Sequence, residues 1–285
     1  MGDRLNDRLS HGEHELLVLD SVTHLQEQHR GRAAHCASHG GVYAGYYAAK
    51  LGIGGVILND AGIGREAAGL AGVKLLDDLG VPAAAVSHRS ARIGDGQDGM
   101  TRGVLSFVNQ AAQELGLKVG MPCQHALGVL DDADLRPSPQ PEPLEEARFE
   151  VNDHGYDNVK VVVMDSISLV RPDDDGSIIV AASHGALLGG RPETATKYPV
   201  FAAITCDADR GIDDAGVSRL PALDDKGIAG ACISAFSARI GDGRSLYEDG
   251  YVSAINGTAV QLGCAIGMSC MEVVATLAKA RMTQV

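Results

Sequence analysis

Short apolar segments alternate with longer Ala-rich or amphipathic segments along the chain, and this pattern predicts strands and helices in turn. In the first half the predicted strands are 16–20, 32–37, 55–58 and 82–86, and the predicted helices are 42–51, 67–79 and 101–115. Gly52, Gly80 and Gly116 follow the three helices, where glycine commonly ends a helix. The second half repeats the pattern and adds a terminal helix at 271–280.

The sequence also repeats itself at the level of motifs. Residues 90–96, Ser-Ala-Arg-Ile-Gly-Asp-Gly, recur unchanged at 237–243, and Ala-Ser-His-Gly at 37–40 recurs at 182–185. Asp-Ser at 20–21 recurs at 165–166, and Asp-Ala at 60–61 recurs at 207–208. These matches keep the same order along the chain, so they predict an internal duplication.

The predicted fold is therefore α/β, a tandem duplication of a Rossmann-like unit with a mainly parallel sheet and helices on both faces. We divide the chain into a polar N-terminal tail (1–14), a first α/β repeat (15–128), an acidic Pro-rich linker (129–157) and a second α/β repeat with a C-terminal helix (158–285). Four prolines between 137 and 143 mark the linker as extended.

Composition and charge narrow the class of partner. The net charge of −13 would repel a phosphate backbone, so nucleic-acid binding is not expected. No apolar run reaches the length of about 20 residues that a membrane span needs, and residues 1–15 lack the apolar core of a signal peptide. Six scattered cysteines form no CxxC pair, which predicts buried, reduced thiols in a cytoplasmic protein. The sequence leaves open whether the chain forms a homo-oligomer.

Polar residues that recur in both halves follow the predicted strands. Because ligands of open parallel sheets bind beyond the carboxyl ends of the strands, these residues are the candidate site. The candidate catalytic residues are His39, Asp20, Asp60, Ser38, Ser90 and His184, and the candidate substrate-binding residues are Arg92, Arg239, Gly40, Gly62, Ser87 and Ser237.

His39 is the candidate acid–base residue, because an imidazole titrates close to neutral pH. Asp20 or Asp60 would orient it, and a serine after a strand would act as nucleophile or oxyanion donor. Asp165, Asp207 and His184 would serve equivalently in the second repeat. The alternative interpretation is structural: the serines and aspartates cap the helices that follow them, and His39 bonds to the backbone of its turn.

Arg92 and Arg239 lie in Gly-rich loops, where a guanidinium and exposed backbone N–H groups could hold a carboxylate or phosphate. This predicts a small anionic substrate. The alternative is an ion pair within the loop, from Arg92 to Asp95. No phosphate-binding loop motif is present, so no cofactor is expected, although a divalent metal ion held by His39, Asp20 and Asp60 is a further alternative.

We expect a small-molecule enzyme, a hydrolase of a small amide or related carbonyl compound that carries a carboxylate. One alternative is an isomerase or racemase acting across a pseudo-twofold cleft. Residues 59–64, Asn-Asp-Ala-Gly-Ile-Gly, resemble the DSGxGG turn of two-lobed amino-acid racemases, and Cys123 and Cys270 would be its paired bases. The other alternative is a non-catalytic module that binds an anion.

Ser-His-Gly at a strand end, with an aspartate at the next, also resembles caspase-like cysteine proteases. Those enzymes need a cysteine two residues after that aspartate, and this chain has Gly62 and Asp209 there. A caspase-type mechanism is therefore not expected.

Overall fold

The structure is a computed structural model, and it describes residues 10–11, 14–153 and 155–283. The chain divides into two compact units. Unit 1 takes in the described residues up to Gly62, together with Gly69–Leu144 and Gly211–Asp213. Unit 2 takes in Ile63–Ala68, Glu145–Arg210 and the described residues from Asp214 onward. Most of the predicted polar tail lies outside the described residues.

Unit 1 contains a five-stranded sheet whose strands follow chain order. A two-stranded ladder of β1 (Ser10–His11) and β2 (His14–Glu15) precedes it. The sheet consists of β3 (Leu17–Leu19), β4 (Ala33–His39), β5 (Gly55–Asn59), β6 (Ala83–Val86) and β7 (Leu105–Val108). The first four strands are parallel, and β7 is antiparallel to β6. The prediction of a mainly parallel sheet is confirmed.

Helices cover both faces of this sheet, as predicted. They are α1 (Val42–Lys50), α2 (Ala71–Asp78), α3 (Gly96–Arg102), α4 (Gln110–Glu114) and α5 (Cys123–Asp131). Successive strand residues point to opposite faces, so Val56 and Leu58 pack in the core under α1 and α2, whereas Ile57 packs in the core under α3 and α5. Short 3-10 helices lie at Val22–His24 and Glu27–His29, and a further one at Arg65–Leu70 begins in residues assigned to unit 2.

Unit 2 contains a six-stranded sheet, again in chain order. Its strands are β8 (Arg148–Glu150), β9 (Val161–Met164), β10 (Ile178–His184), β11 (Ala202–Cys206), β12 (Ala229–Ile233) and β13 (Val252–Ile255). β9 to β12 are parallel, and the two outer strands are antiparallel to their neighbours. Its helices are α6 (Arg219–Asp224), α7 (Gly243–Asp249), α8 (Gly257–Gln261) and α9 (Cys270–Thr283). Five 3-10 helices lie at Ile167–Leu169, Pro172–Asp174, Leu188–Gly190, Pro192–Ala195 and Ile212–Val217.

One prediction about the elements is wrong. The predicted helix at 101–115 is the end of α3, then β7, then α4, because Gly103 ends the first helix and Leu105–Val108 pairs with β6. Within the predicted linker, Arg148–Glu150 forms the edge strand β8. Across the described ranges, no helix is long and apolar enough to cross a lipid bilayer.

The connection between the second and third parallel strands, β4 to β5 in unit 1 and β10 to β11 in unit 2, distinguishes the two sheets. In unit 1 it is α1, which packs so closely on α2 that a Cβ at Gly72 would overlap the Gly41 carbonyl. In unit 2 the buried Arg219 donates to the carbonyl oxygens of Ala186, Thr194 and Ala195. A guanidinium thereby holds an irregular segment where unit 1 has a helix.

Candidate active site

The polar residues that follow the strands lie at one edge of the unit 1 sheet. His39 ends β4 beside Asn59 of β5, and Asn59 in turn lies beside Val86 of β6. Asp60 directly follows β5, and Ser87 directly follows β6. The predicted edge therefore exists, because neighbouring parallel strands end on the same side. Among the described strands of both sheets no reversal of strand order occurs, so the edge lacks the crevice of a doubly wound sheet.

The repeated heptapeptide fastens this edge to the helix that follows it. Gly94 N–H donates to the Ala37 carbonyl over 2.8 Å, and Asp95 caps α3 through a hydrogen bond from Asp98 N–H. Gly96 N–H donates to Asp20 Oδ1 over 3.0 Å. In unit 2, Gly243 N–H likewise donates to Asp165 Oδ1 over 2.8 Å. The contact shown for Asp20 therefore supports a structural role.

The candidate serine hydroxyls take part in hydrogen bonds within the loops. Ser38 Oγ accepts from Val22 N–H over 2.8 Å and donates to Ser21 Oγ. Ser90 Oγ donates to the Ser87 carbonyl over 2.9 Å and accepts from Val104 N–H over 2.9 Å.

Ser237 forms the equivalent pair of bonds in unit 2, with the Ser234 carbonyl and Tyr251 N–H. The remaining candidate serine, Ser87, accepts from Arg89 N–H over 3.2 Å. To act as nucleophiles, Ser38 and Ser90 would first have to redirect their protons.

His39 lies at the end of β4 and accepts a hydrogen bond from Gly41 N–H at Nδ1 over 3.1 Å. Burial lowers the pKa of its imidazole to about 4, so the ring is neutral at pH 7. His184 accepts from Ala186 N–H at Nδ1 in the same way. Gly40, between His39 and α1, has no room for a side chain, because a Cβ would lie 2.5 Å from the Gly69 carbonyl oxygen.

The two candidate substrate arginines both bind carboxylates. Arg92 lies 2.9–3.0 Å from Asp213 Oδ2 and within 4 Å of Asp95 and Asp98. Arg239 lies 2.9–3.0 Å from Asp242 Oδ2 and about 3.2 Å from Glu66. An anionic substrate would have to displace these carboxylates before either arginine could bind it.

Both carboxylate oxygens of Asp60 take part in hydrogen bonds at this edge. Its Oδ1 lies 2.7 Å from His88 Nδ1 and accepts from the backbone N–H groups of His88 and Gly62 over 2.9 and 3.1 Å. Its Oδ2 accepts from Ser106 Oγ over 2.7 Å. Asp60 and His88 are both buried, at 2% and 7% exposure. Gly62, a candidate substrate-binding residue, therefore donates its backbone N–H to Asp60. The side-chain partner of Asp60 is His88, which the sequence analysis did not single out.

This pair has the features of an oriented general base. Burial would raise the pKa of Asp60, but hydrogen bonds from His88 and Ser106 outweigh it and hold the pKa below its ordinary value. An ionised Asp60 accepts the Nδ1 proton of His88, which leaves Nε2 as the unprotonated nitrogen. Arg89 Nε donates to that Nε2 over 3.4 Å. The imidazole is therefore held in one tautomer, with a cation beside its basic nitrogen.

Comparisons with known proteins give no identity to attach to this geometry. No protein-family model matches the sequence, and neither a curated protein nor a solved structure gives a significant match.

Unit 2 has an aspartate at the matching position, Asp207, but an alanine where unit 1 has His88. Asp207 Oδ1 accepts from the N–H groups of Asp209 and Ala235 over 2.9 and 2.8 Å, and its Oδ2 accepts from Ser253 Oγ. Ala235 therefore stands in the position of His88. Asp60 recurs in both halves of the sequence, but His88 does not, so the repeat alone could not identify it. The difference between His-Arg at 88–89 and Ala-Phe at 235–236 is what marks His88 in the sequence.

Both units follow this aspartate with a left-handed turn. Residues 61–64 all have positive φ values of 49–76°, and residues 208–211 have values of 48–68°. A non-glycine residue in this region costs about 1–2 kcal/mol. The turn begins with Ala61 N–H donating to Asn59 Oδ1 over 2.9 Å. Such strain is often retained beside functional groups, and here it adjoins Asp60.

The remaining candidates are buried or lack a ligand set. All six cysteines are free and buried, as predicted, and burial raises the pKa of Cys123 and Cys270 far above that of an exposed thiol. These two thiols are poorly suited to be the paired bases of a racemase. Within the part of the chain that the structure describes, no group of three acidic, histidine or cysteine side chains is arranged to hold a metal ion.

Proposed function

We propose that the chain is a hydrolase of a small amide or related carbonyl compound that carries a carboxylate, with His88 as its general base. The observation that carries this proposal is the 2.7 Å contact between Asp60 Oδ1 and His88 Nδ1 at the carboxyl edge of a parallel sheet. This assignment replaces His39, because Asp60 orients His88.

In this mechanism a water molecule is the nucleophile. His88 Nε2 accepts a proton from water as its oxygen attacks the carbonyl carbon, and Asp60 stabilises the resulting imidazolium. The proton then passes from His88 to the departing amine. Arg89 donates to Nε2 in the structure, so its side chain would first have to leave this nitrogen, and its guanidinium would then bind the carboxylate of the substrate or the developing oxyanion.

We also propose that the two units are copies of one ancestral α/β unit, of which unit 1 kept or gained the catalytic histidine. The repeated motifs support this, as do the equivalent bonds around Asp60 and Asp207. The cytoplasmic location remains a prediction from the cysteine content alone.

The test compares His88→Ala with wild type on a panel of N-acyl amino acids, which combine an amide with a carboxylate. The variant introduces the alanine that unit 2 already has at Ala235, so folding should be preserved. We expect hydrolysis by wild type and a loss of at least 100-fold in kcat/KM for the variant. His125→Ala, at an exposed position on α5, is the matched control and should keep full activity.

Four outcomes would oppose this proposal. No hydrolysis of any panel member by wild type would contradict the substrate class. Unchanged turnover in His88→Ala would contradict the base. Solvent deuterium entering a recovered substrate at carbon would indicate an isomerase instead, and binding without turnover would favour the anion-binding module.

A further inference from the structure

A groove lies in unit 2, at the amino ends of β11 and β12. Its volume is about 530 Å³, and it is lined by Gly176, Thr196–Phe201, Lys226–Ile228 and Arg281. It belongs to the opposite edge of the sheet from His184, which ends β10. The groove shares no residue with the Asp60–His88 pair, so the proposed hydrolase does not use it.

Among the described residues, the charged side chains that line this groove are all cationic: Lys197, Lys226 and Arg281. Over the whole chain, acidic residues outnumber lysine and arginine by 37 to 24. Across the described ranges, none of these three cations has a carboxylate partner within 4 Å. Within the described part of this acidic protein, three positive charges without a carboxylate partner therefore surround one concave surface.

Aromatic rings hold two of these cations in place. The Arg281 guanidinium lies over the Phe201 ring, 5.2 Å from its centroid, and Lys197 Nζ lies 5.3 Å from the centroid of Tyr198. Gly176 lets Arg281 approach, since a Cβ there would lie 2.9 Å from Nη2. Stacking occupies the flat face of a guanidinium and leaves its N–H donors available along the edge. The donors are therefore positioned before a ligand arrives, which lowers the entropic cost of binding.

We propose that this groove binds the phosphate group of a small organic phosphate. A phosphate ester carries up to two negative charges, which three cations match better than the single charge of a carboxylate. The volume is that of a small-molecule site, and Tyr198 and Phe201 offer apolar surface for the organic part. A nucleic-acid chain fits less well, because the net charge of −13 repels an extended polyanion.

The test measures binding of pyrophosphate to the full chain by isothermal titration calorimetry at low ionic strength. We expect saturable binding to wild type, weakened about tenfold or more in both Arg281→Gln and Lys226→Gln. Arg244→Gln is the matched control, because Arg244 also lies in unit 2 over an aromatic ring, Phe149, but pairs with Glu248 at 2.9 Å. The control should bind as wild type does.

No binding to wild type, or equal binding by wild type and Lys226→Gln, would overturn the proposal. Lys226 is exposed, so its variant tests the site even if Arg281→Gln does not fold. Succinate binding as tightly as pyrophosphate would refute the preference for phosphate. Binding to anionic lipid vesicles in the absence of pyrophosphate binding would also refute it. Hydrolysis by the Asp60–His88 pair is unaffected by any of these results.

Discussion

Asp60 in unit 1 and Asp207 in unit 2 hold the same loops by the same bonds, and only one of them holds a histidine. Each carboxylate accepts two backbone N–H groups through Oδ1 and one serine hydroxyl through Oδ2. In unit 2 these hydrogen bonds alone account for the aspartate. In unit 1 the Asp60 carboxylate makes the same hydrogen bonds and also contacts Nδ1 of His88, the proposed general base.

A second difference between the units lies in the core behind this edge. In unit 1 the buried His35 ring, which bonds to the Ile57 carbonyl through Nδ1, fills the space above Gly99 of α3. The repeat places Val180 and Leu246 at the equivalent positions of unit 2, and α7 packs on β10 there. Unit 1 therefore has a large strand residue opposite a helix glycine, whereas unit 2 has two residues of intermediate size at these positions.

The largest loss of stability is expected when only one residue of the pair His35 and Gly99 is changed. A Cβ at Gly99 would overlap His35 Nε2, so Gly99→Leu should lower the free energy of unfolding by about 3 kcal/mol or more. The double variant His35→Val/Gly99→Leu, which gives unit 1 the pair of unit 2, should recover more than half of that loss. Urea denaturation measures both, and a double variant no more stable than Gly99→Leu would show that the two positions are not coupled.

Acid should destabilise unit 1 through the buried His35 and the partly buried His39. Burial lowers the pKa of His35 and of His39 to about 4, although the Ile57 carbonyl partly opposes this at His35. Between pH 6.5 and about 4 the unfolded chain therefore binds protons that the folded unit does not. The free energy of unfolding therefore decreases as the pH is lowered from 6.5 to about 4, by up to about 1.4 kcal/mol per pH unit for each histidine.

The same double variant sharpens this second prediction. Removing His35 should make the decline of unfolding free energy between pH 6.5 and 4 shallower by up to about 1.4 kcal/mol per pH unit. Urea denaturation at several pH values measures the slope. An unchanged slope would mean that His35 takes up no proton on unfolding in this range.

The sequence was informative where burial and chain direction decide the structure. Apolar runs such as 55–58 predicted parallel strands, and the polar residues after them lie at one edge as expected. The strand Leu105–Val108 was missed because its short alternation falls between two helices and its pairing with β6 is a tertiary contact. The Asp60–His88 contact was missed for a similar reason, since 28 residues separate its members and only the fold brings them together.

The smallest expected effect separates structural from chemical use of the shared aspartate. Ser106 Oγ donates to Asp60 Oδ2 over 2.7 Å, and Ser253 Oγ donates to Asp207 Oδ2 over 2.6 Å. Ser106→Ala and Ser253→Ala should each lower the free energy of unfolding by about 1 kcal/mol, because each leaves one carboxylate oxygen without its hydroxyl donor. Only Ser106→Ala should also lower kcat, because only Asp60 orients a histidine. Equal losses of stability with kcat unchanged in both variants would reduce Ser106 to the structural role that Ser253 already has.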